Sequence, residues 1–228
     1  MKLSEAVRGV SGTLAADGEF SCIAFATEQE QSQFLTFLEK EKFLPALDNS
    51  KISCVLTTSA LAEKIPPHIK GVFLCDRPKA ALFEIHNRLA RHPDYVGASA
   101  ATVVGEGCSI SPLAAIDCEN VVIGDRVTIE PFVVIKGRVI IGNDVTIRSG
   151  AVIGCKGFSF SKDAQGQNVS VEDTARIIIE DHVEIFEQVA ISTGIFPWEE
   201  TRIGENTKVD AQCHIGHGAH IGRNCLLA

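Results

Sequence analysis

Several things are scarce in this chain. Its 228 residues contain one Tyr, one Trp and one Met, and basic residues are outnumbered, 21 Lys and Arg against 29 Asp and Glu. The resulting net charge of −8 leaves no general basic face for nucleic acid or an anionic membrane surface. No apolar leader follows Met1, and no run reaches the roughly 18 apolar residues of a membrane-spanning helix. The eight cysteines (Cys22, Cys54, Cys75, Cys108, Cys118, Cys155, Cys213, Cys225) form no CxxC pair, so the usual signals of structural zinc and thioredoxin-type chemistry are missing. They read as small core fillers in a reduced, cytoplasmic protein. Only Phe is plentiful among the aromatics, 12 in all, and most lie outside the periodic region described below. Two parts with different packing are therefore expected.

The first part, residues 1–97, reads as a small α/β domain. Phe20, Cys22 and Ala24, and again Ile52, Cys54 and Leu56, alternate as short strands do. Val72 to Cys75 is a compact apolar run suited to a buried strand, broken by Asp76-Arg77-Pro78. Ala81, Leu82, Ile85 and Leu89 fall on one helical face, with Pro93 as the stop, and His86 on that helix reads as an ordinary partly buried histidine. The pattern in residues 33–47 fits either a helix or a strand followed by a short helix.

From Val104 onward an aliphatic residue returns every sixth position, with a few breaks. The series is Val104, Ile110, Ile116, Ile123, Ile129, Ile135, Ile141, Ile147 and Ile153. It resumes at Ile179, Ile185 and Ile191, then Ile203, Val209, Ile215, Ile221 and Leu227, with Pro197 in the slot between Ile191 and Ile203. Gly, Asp or Glu often follows the aliphatic residue, and a small or β-branched residue comes four places after it. This is the hexapeptide pattern of a parallel β-helix, in which three hexapeptides make one triangular coil and residues 18 apart stack in inward-facing ladders. Residues 98–228 are read as that solenoid, with residues of about 156–175 thrown out as a loop. Within it, VDAQCHIGHGAHIG (209–222) places His214, His217 and His220 at three-residue spacing.

Three stretches carry a more specific likeness: GCKGFSFS (154–161), ARIIIEDHVEI (175–185) and TRIGENTKVDAQCHIGHGAHIG (201–222). Through them the chain resembles UDP-3-O-acylglucosamine N-acyltransferase of lipid A biosynthesis. The resemblance implies a uridine-binding N-terminal domain, a left-handed β-helix and a homotrimer. It also implies transfer of a 3-hydroxyacyl chain from the phosphopantetheine thioester of acyl carrier protein, or from acyl-CoA, to the amine of a UDP-linked amino sugar. No resident cofactor or metal is implied. His217 falls at the family's general base, and a neutral imidazole is suited to take the amine's proton near neutral pH. Asp210 falls at an acidic position of the active site, and His214 at a candidate substrate contact where the family more often has Gln. Phe37, Lys40 and Phe43, in TFLEKEKF, fall at the aromatic–polar–aromatic positions that hold uracil, although Lys40-Glu41 replaces Asn-Pro. On that reading residues 33–39 are a strand. A second departure is Ile191-Ser192-Thr193-Gly194, where the family has Ile-Asp-Arg-Gly, followed by Ile195-Phe196-Pro197-Trp198-Glu199-Glu200.

Rival readings are of different classes. A zinc site on the three histidines is opposed by the repeat itself, since His214 and His220, six apart, lie on faces about 120° apart. Another sugar-nucleotide acyl- or acetyltransferase fits the repeat equally well, and so does a non-catalytic β-helix scaffold. The sequence stops at Leu226-Leu227-Ala228, partway through a coil, which reads as a C-terminal truncation relative to the family.

Overall fold

The computed structural model describes residues 1–163 and 165–228, and these divide into two compact units. The first comprises Met1–Tyr95 with Ser159–Glu172, the second Val96–Phe158 with Asp173–Ala228. No described helix is long and apolar enough to cross a membrane.

The first unit is a five-stranded sheet. Helix α1 (Leu3–Ala6) precedes strands β1 (Thr13–Ala16), β2 (Cys22–Ile23), β3 (Phe34–Leu38), β4 (Ile52–Thr57) and β5 (Gly71–Leu74), and helix α2 (Pro78–Leu89) follows. The spatial order is β1-β5-β4-β3-β2, with β2 to β5 parallel and β1 antiparallel at the edge. The ambiguity over residues 33–47 is resolved as a strand, β3, followed by a 3₁₀ helix at Glu41–Asp48. Pro78 opens α2, where its missing N–H costs nothing, and Ala81, Leu82, Ile85 and Leu89 are buried against the sheet as the pattern required. Cys54 and Cys75 are buried, and burial pushes the Cys75 thiol up to about 11, which leaves it an inert filler.

The second unit is a left-handed parallel β-helix with a three-sided core. One sheet stacks Val104, Ile123, Ile141, Ile179, Ile203 and Ile221. The second stacks Ile110, Ile129, Ile147, Ile185, Val209 and Leu227, and the third Ile116, Ile135, Ile153, Ile191 and Ile215. Most of these side chains are wholly buried, worth roughly 1.5–3 kcal/mol each. The coils turn through residues with positive φ, among them Arg126, Asp144, His182, Asn206 and Asn224 at 55° to 60°. Side chains of Asp125, Asn143 and Asp181 accept the main-chain N–H of the coil next to them, at 2.8 to 2.9 Å, so one corner is stapled by an amide–carboxylate ladder.

One sequence expectation needs correction. Pro197 is not a ladder position. Ile203 stacks directly on Ile179, 24 residues back, whereas Ile141 stacks on Ile123 at 18, so this coil carries an insertion of six residues around Pro197. The expelled segment at 156–175 also differs from a plain loop, because it contains a hairpin, Phe160–Lys162 against Asn168–Ser170.

That hairpin is clamped by α2. Asn87 donates to Ser170 O at 2.8 Å and accepts from Glu172 N at 2.9 Å. His86, read from sequence as partly buried, has no solvent exposure. Its Nε2 lies 2.9 Å from Glu172 O, which can only accept, so Nδ1 is left to accept from the Tyr95 hydroxyl at 3.0 Å. Burial holds this imidazole below its ordinary value of 6.5. The unfolded chain then binds the proton more readily. Stability is full above the ordinary value and declines as pH falls from there through the folded value. The thermal midpoint should therefore drop between pH 7 and pH 5, and His86→Gln should flatten that slope. An unchanged slope in the variant assigns the pH dependence to other groups.

Candidate functional site

The expected base, His217, sits on a corner of the β-helix between two short strands, His214–Ile215 and His220–Ile221. Its side chain is exposed, but its position is defined from beneath. Thr201, wholly buried, donates its hydroxyl to Ser192 O at 2.8 Å and accepts the N–H of Gly218 at 3.0 Å. The turn that carries His217 is thereby fixed to the preceding coil. Gly218 supplies the positive φ of that turn, +68°.

Gly157 lies against the imidazole. A methyl group on Gly157 would sit 3.4 Å from His217 Cδ2, 3.6 Å from His217 Cβ and 3.5 Å from Asp173 Oδ1. The Gly157 N–H donates to Asp173 Oδ2 at 2.7 Å. The chain reaches this place through Gly154, whose φ of +88° brings it so close to Lys136 O that no side chain fits. The far ends of the 156–175 excursion thus return to His217, the first through Gly157 and the second through Asp173.

On the sheet beside this corner runs a chain of polar groups. Cys155 Sγ lies 3.3 Å from Ser192 Oγ, which lies 3.0 Å from His214 Nε2. The three are brought together by register, because Cys155 aligns with Ser192 and the coils bearing Ala190 and His214 pair directly. His214, itself exposed, is therefore oriented by Ser192.

The inserted residues 193–199 are packed, not loose. Glu199 Oε2 accepts from the N–H groups of Ile195 and Phe196 at 2.9 and 3.1 Å, Phe196 is wholly buried, and Trp198 stacks on it at 6.0 Å. Thr193 donates to Ala175 O at 3.0 Å, and Thr174 donates from both N and Oγ1 to Ile195 O at 3.0 and 2.6 Å. Glu200 is held below the usual carboxylate range by its hydrogen bonds and ion pairs, foremost with Arg202 and then Arg176.

The structure does not bring Asp210 to His217. Asp210 is exposed one corner earlier, and no hydrogen bond or ion pair joins the two among the described residues. The histidines also separate: His214 faces Ser192, and His220 donates from Nε2 to Glu200 O at 3.1 Å. Among the described residues no three His, Cys, Asp or Glu side chains are grouped to hold a metal ion.

The other expected contacts belong to the first unit. Phe37, half-buried near the end of β3, meets Phe25 edge-on with ring centroids 6.4 Å apart. Phe43 is 54% exposed, with Lys42 Nζ 4.8 Å from its ring centre, so it is not a core residue. Lys40 is exposed, and its carbonyl accepts the Phe43 N–H at 3.0 Å, which fixes the two in one turn. A cavity of about 540 Å³ in this unit, bounded by α2 and the hairpin, is lined by none of the three.

Sequence reasoning missed Asp173, Thr201 and the use of Gly157. Gly157 lies inside a stretch already singled out for family likeness, and that is where a signal existed. Asp173 stands in an irregular segment with no frame to mark it.

Comparison with known proteins gives a consistent result. A family model described as bacterial transferase hexapeptide (six repeats) matches residues 120–155 and 200–228. A Bradyrhizobium sp. protein named UDP-3-O-acylglucosamine N-acyltransferase is 29% identical over 239 residues, 89% of this chain and 64% of that protein. A Coxiella burnetii protein of the same name is 28% identical over 251 residues, 99% of this chain and 72% of that one. The chain thus spans roughly two thirds of the length of these relatives. The solved structure of a Francisella novicida UDP-N-acetylglucosamine acyltransferase overlaps with a TM-score of 0.30 at 22% identity, over 51% of this chain and 44% of that one. The resemblance to the UDP-3-O-acylglucosamine N-acyltransferases holds along nearly the whole chain.

The exposure of the two phenylalanines makes a direct test. Phe43→Ala should change unfolding stability by no more than about 0.5 kcal/mol in urea titration, while Phe37→Ala should cost about 2 kcal/mol. Equal losses would return Phe43 to the core.

Proposed function

We propose that this protein is an N-acyltransferase that moves a (3-hydroxy)acyl chain from a carrier thioester to the amine of a UDP-linked amino sugar. The observation that carries the reading is an exposed imidazole, His217, on a corner fixed by Thr201 and bordered by Gly157, in a chain that resembles this family along nearly its whole length.

The chemistry follows from the groups present. The amine nitrogen attacks the thioester carbonyl carbon, and the carbon–oxygen π pair moves onto oxygen. His217 takes the proton the nitrogen must shed. When the oxyanion collapses, the carbon–sulfur bond breaks and the proton passes from the imidazolium to the departing thiolate, leaving amide and free thiol. The donor is the phosphopantetheine thioester of acyl carrier protein, with acyl-CoA as the alternative. Phe37 and Phe43 hold the uracil ring between their faces, with Lys40 beside them. His214, oriented by Ser192, contacts the acceptor. Asp210 retains a part only across a boundary with another copy, since it does not reach His217 within its own chain.

The working assembly is a homotrimer in the cytoplasm. Its support is an outward apolar strip on one sheet, where Val122 and Ile140 are register neighbours and both are exposed, together with exposed Leu113 and Phe132.

A second reading, transfer of a different acyl or acetyl group to a sugar nucleotide, is favoured by one observation. Residues 193–199 form a packed block around Phe196 and Trp198 in the place where the family carries a charged pair.

The test is an acyl-transfer assay on UDP-linked amino sugars, with 3-hydroxyacyl and acetyl donors on acyl carrier protein and on coenzyme A. His217→Ala should lower the rate by about 10²–10⁴. An unchanged rate would sink the mechanism. Transfer from none of these donors, alongside UDP binding, would favour a scaffold.

A further inference from the structure

We infer that the buried hydroxyl of Thr201 positions the base His217, as a substitute for the main-chain tie that other corners of the β-helix use. The inference rests on the reading of His217 as base and names the group that holds it in place.

At a regular corner the residue with positive φ donates its N–H to a carbonyl of the neighbouring coil. Asp144 donates to Asp125 O at 2.9 Å, Gly150 to Pro131 O at 3.2 Å and Asn224 to Glu205 O at 2.9 Å, each pair 19 residues apart. Gly218 is the residue with positive φ at the corner of His217. Nineteen residues before it stands Glu199, inside the packed block at 193–199, and the Glu199 carbonyl accepts the Arg176 N–H at 3.3 Å instead. The block has taken the ordinary acceptor away. Thr201 replaces it: Oγ1 accepts the Gly218 N–H at 3.0 Å and donates to Ser192 O at 2.8 Å. The same hydroxyl closes the neck of the block, which leaves the frame after Ser192 and rejoins it in the strand Glu200–Ile203.

This link leaves the hydroxyl no freedom. A main-chain N–H only donates and a carbonyl only accepts, so the Thr201 proton must lie toward Ser192 O. Branching at Cβ restricts χ1, and Thr201 has no solvent exposure. The Gly218 nitrogen belongs to the peptide plane that begins at the His217 carbonyl carbon. Holding that N–H fixes the plane, hence ψ of His217, and with it the direction in which the imidazole leaves the chain. The His217 side chain is exposed, so the backbone beneath it decides where the base stands. Thr201 touches no substrate in this scheme and acts through His217.

The test compares three variants. Thr201→Val keeps the shape and loses both bonds, whereas Thr201→Ser keeps the hydroxyl. Thr207→Val is the matched control, because Thr207 is also wholly buried, donates to Gly222 O at 2.8 Å and accepts the Cys225 N–H at 3.1 Å, in a turn that does not carry the base. In amide exchange followed by NMR, the Gly218 N–H should be protected in wild type, exchange at least about tenfold faster in Thr201→Val, and recover in Thr201→Ser. In the acyl-transfer assay Thr201→Val should lower kcat by about 10–10²-fold with KM within about twofold. Thr201→Ser should stay within about threefold of wild type, and Thr207→Val should keep kcat although it destabilises the fold. If Thr201→Val does not fold, Thr201→Cys, whose thiol is a weak donor and acceptor, takes its place with the same losses in smaller measure. An unprotected Gly218 N–H in wild type overturns the inference. So does an unchanged kcat in Thr201→Val, or an equal loss in Thr201→Ser or Thr207→Val. Absence of acyl transfer in wild type would remove the reading of His217 as base, while the exchange result, which needs no turnover, still decides whether Thr201 holds the turn.

Discussion

The constraint on which the β-helix depends is that every coil must return its three aliphatic residues to the same three ladders. Strands of neighbouring coils lie about 4.8 Å apart, and a slip of one residue would turn the aliphatic side chain out and a polar one in. Twenty-one buried residues form this core, and the aliphatic pairs keep their register from Ile123 to Ile215, the shift between Ile153 and Cys155 coming just after a ladder position. Any chain length that does not fit the period must therefore leave at a corner. Both large excursions do so. The 156–175 segment leaves after Ile153 and rejoins the frame at Ile177 and Ile179, and the six-residue insertion leaves after Ile191 and rejoins before Ile203.

The two excursions meet. Thr193 and Gly194 of one bond to Ala175 of the other, and Thr174 bonds to Ile195. Their junction lies beside Asp173, Gly157 and His217, so the least regular backbone of the β-helix surrounds its candidate base. This is the division of labour expected of a solenoid, in which a rigid frame positions chemistry carried by the irregular segments. In the proposed reaction that rigidity would be of use, because groups fixed by backbone hydrogen bonds need not reorganise as charge develops.

Most of the frame was legible in the sequence because its period is enforced by burial. Ile147 and Ile185 have no alternative to pointing inward, and the six-residue return reports that directly. In the first unit the α2 face was legible for the same reason, at the helical period. Legibility failed where hydrogen bonds replace burial. Pro197 looked like a ladder residue because the six-residue insertion equals one repeat, so the count alone stays in phase through it. Residues 33–47 were ambiguous because β3 is buried on both sides, at Phe34, Leu35, Thr36 and Leu38, which erases the alternation that marks a half-exposed strand. His217 was found through the likeness of HIGHG to a family. Asp173 and Thr201 act through single hydrogen bonds to main-chain groups distant in sequence, and no spacing rule records such contacts.

The departures from the family's pattern form one arrangement when taken together. Where the resemblance places an Asp-Arg pair, this chain has Ser192 and Thr193. Ser192 joins a hydrogen-bonded chain with Cys155 and His214, and Thr193 spends its hydroxyl on Ala175 O. Neither leaves a charge at the corner. Thr193 instead helps fix the very segment that carries Asp173, and the Glu199-capped block around Phe196 holds the other side of it. Gly157, in the excursion at 156–175, lies against His217 and donates its N–H to Asp173 Oδ2, so it is this excursion, not the ladder position at 192, that borders the candidate base. A carboxylate carried on an excursion can be aimed by that excursion's own hydrogen bonds, free of the inward–outward alternation that dictates where ladder side chains point. Ser192 and Thr193, where the resemblance places a charged pair, are thus both spent on hydrogen bonds that tie the regular frame to the irregular segments.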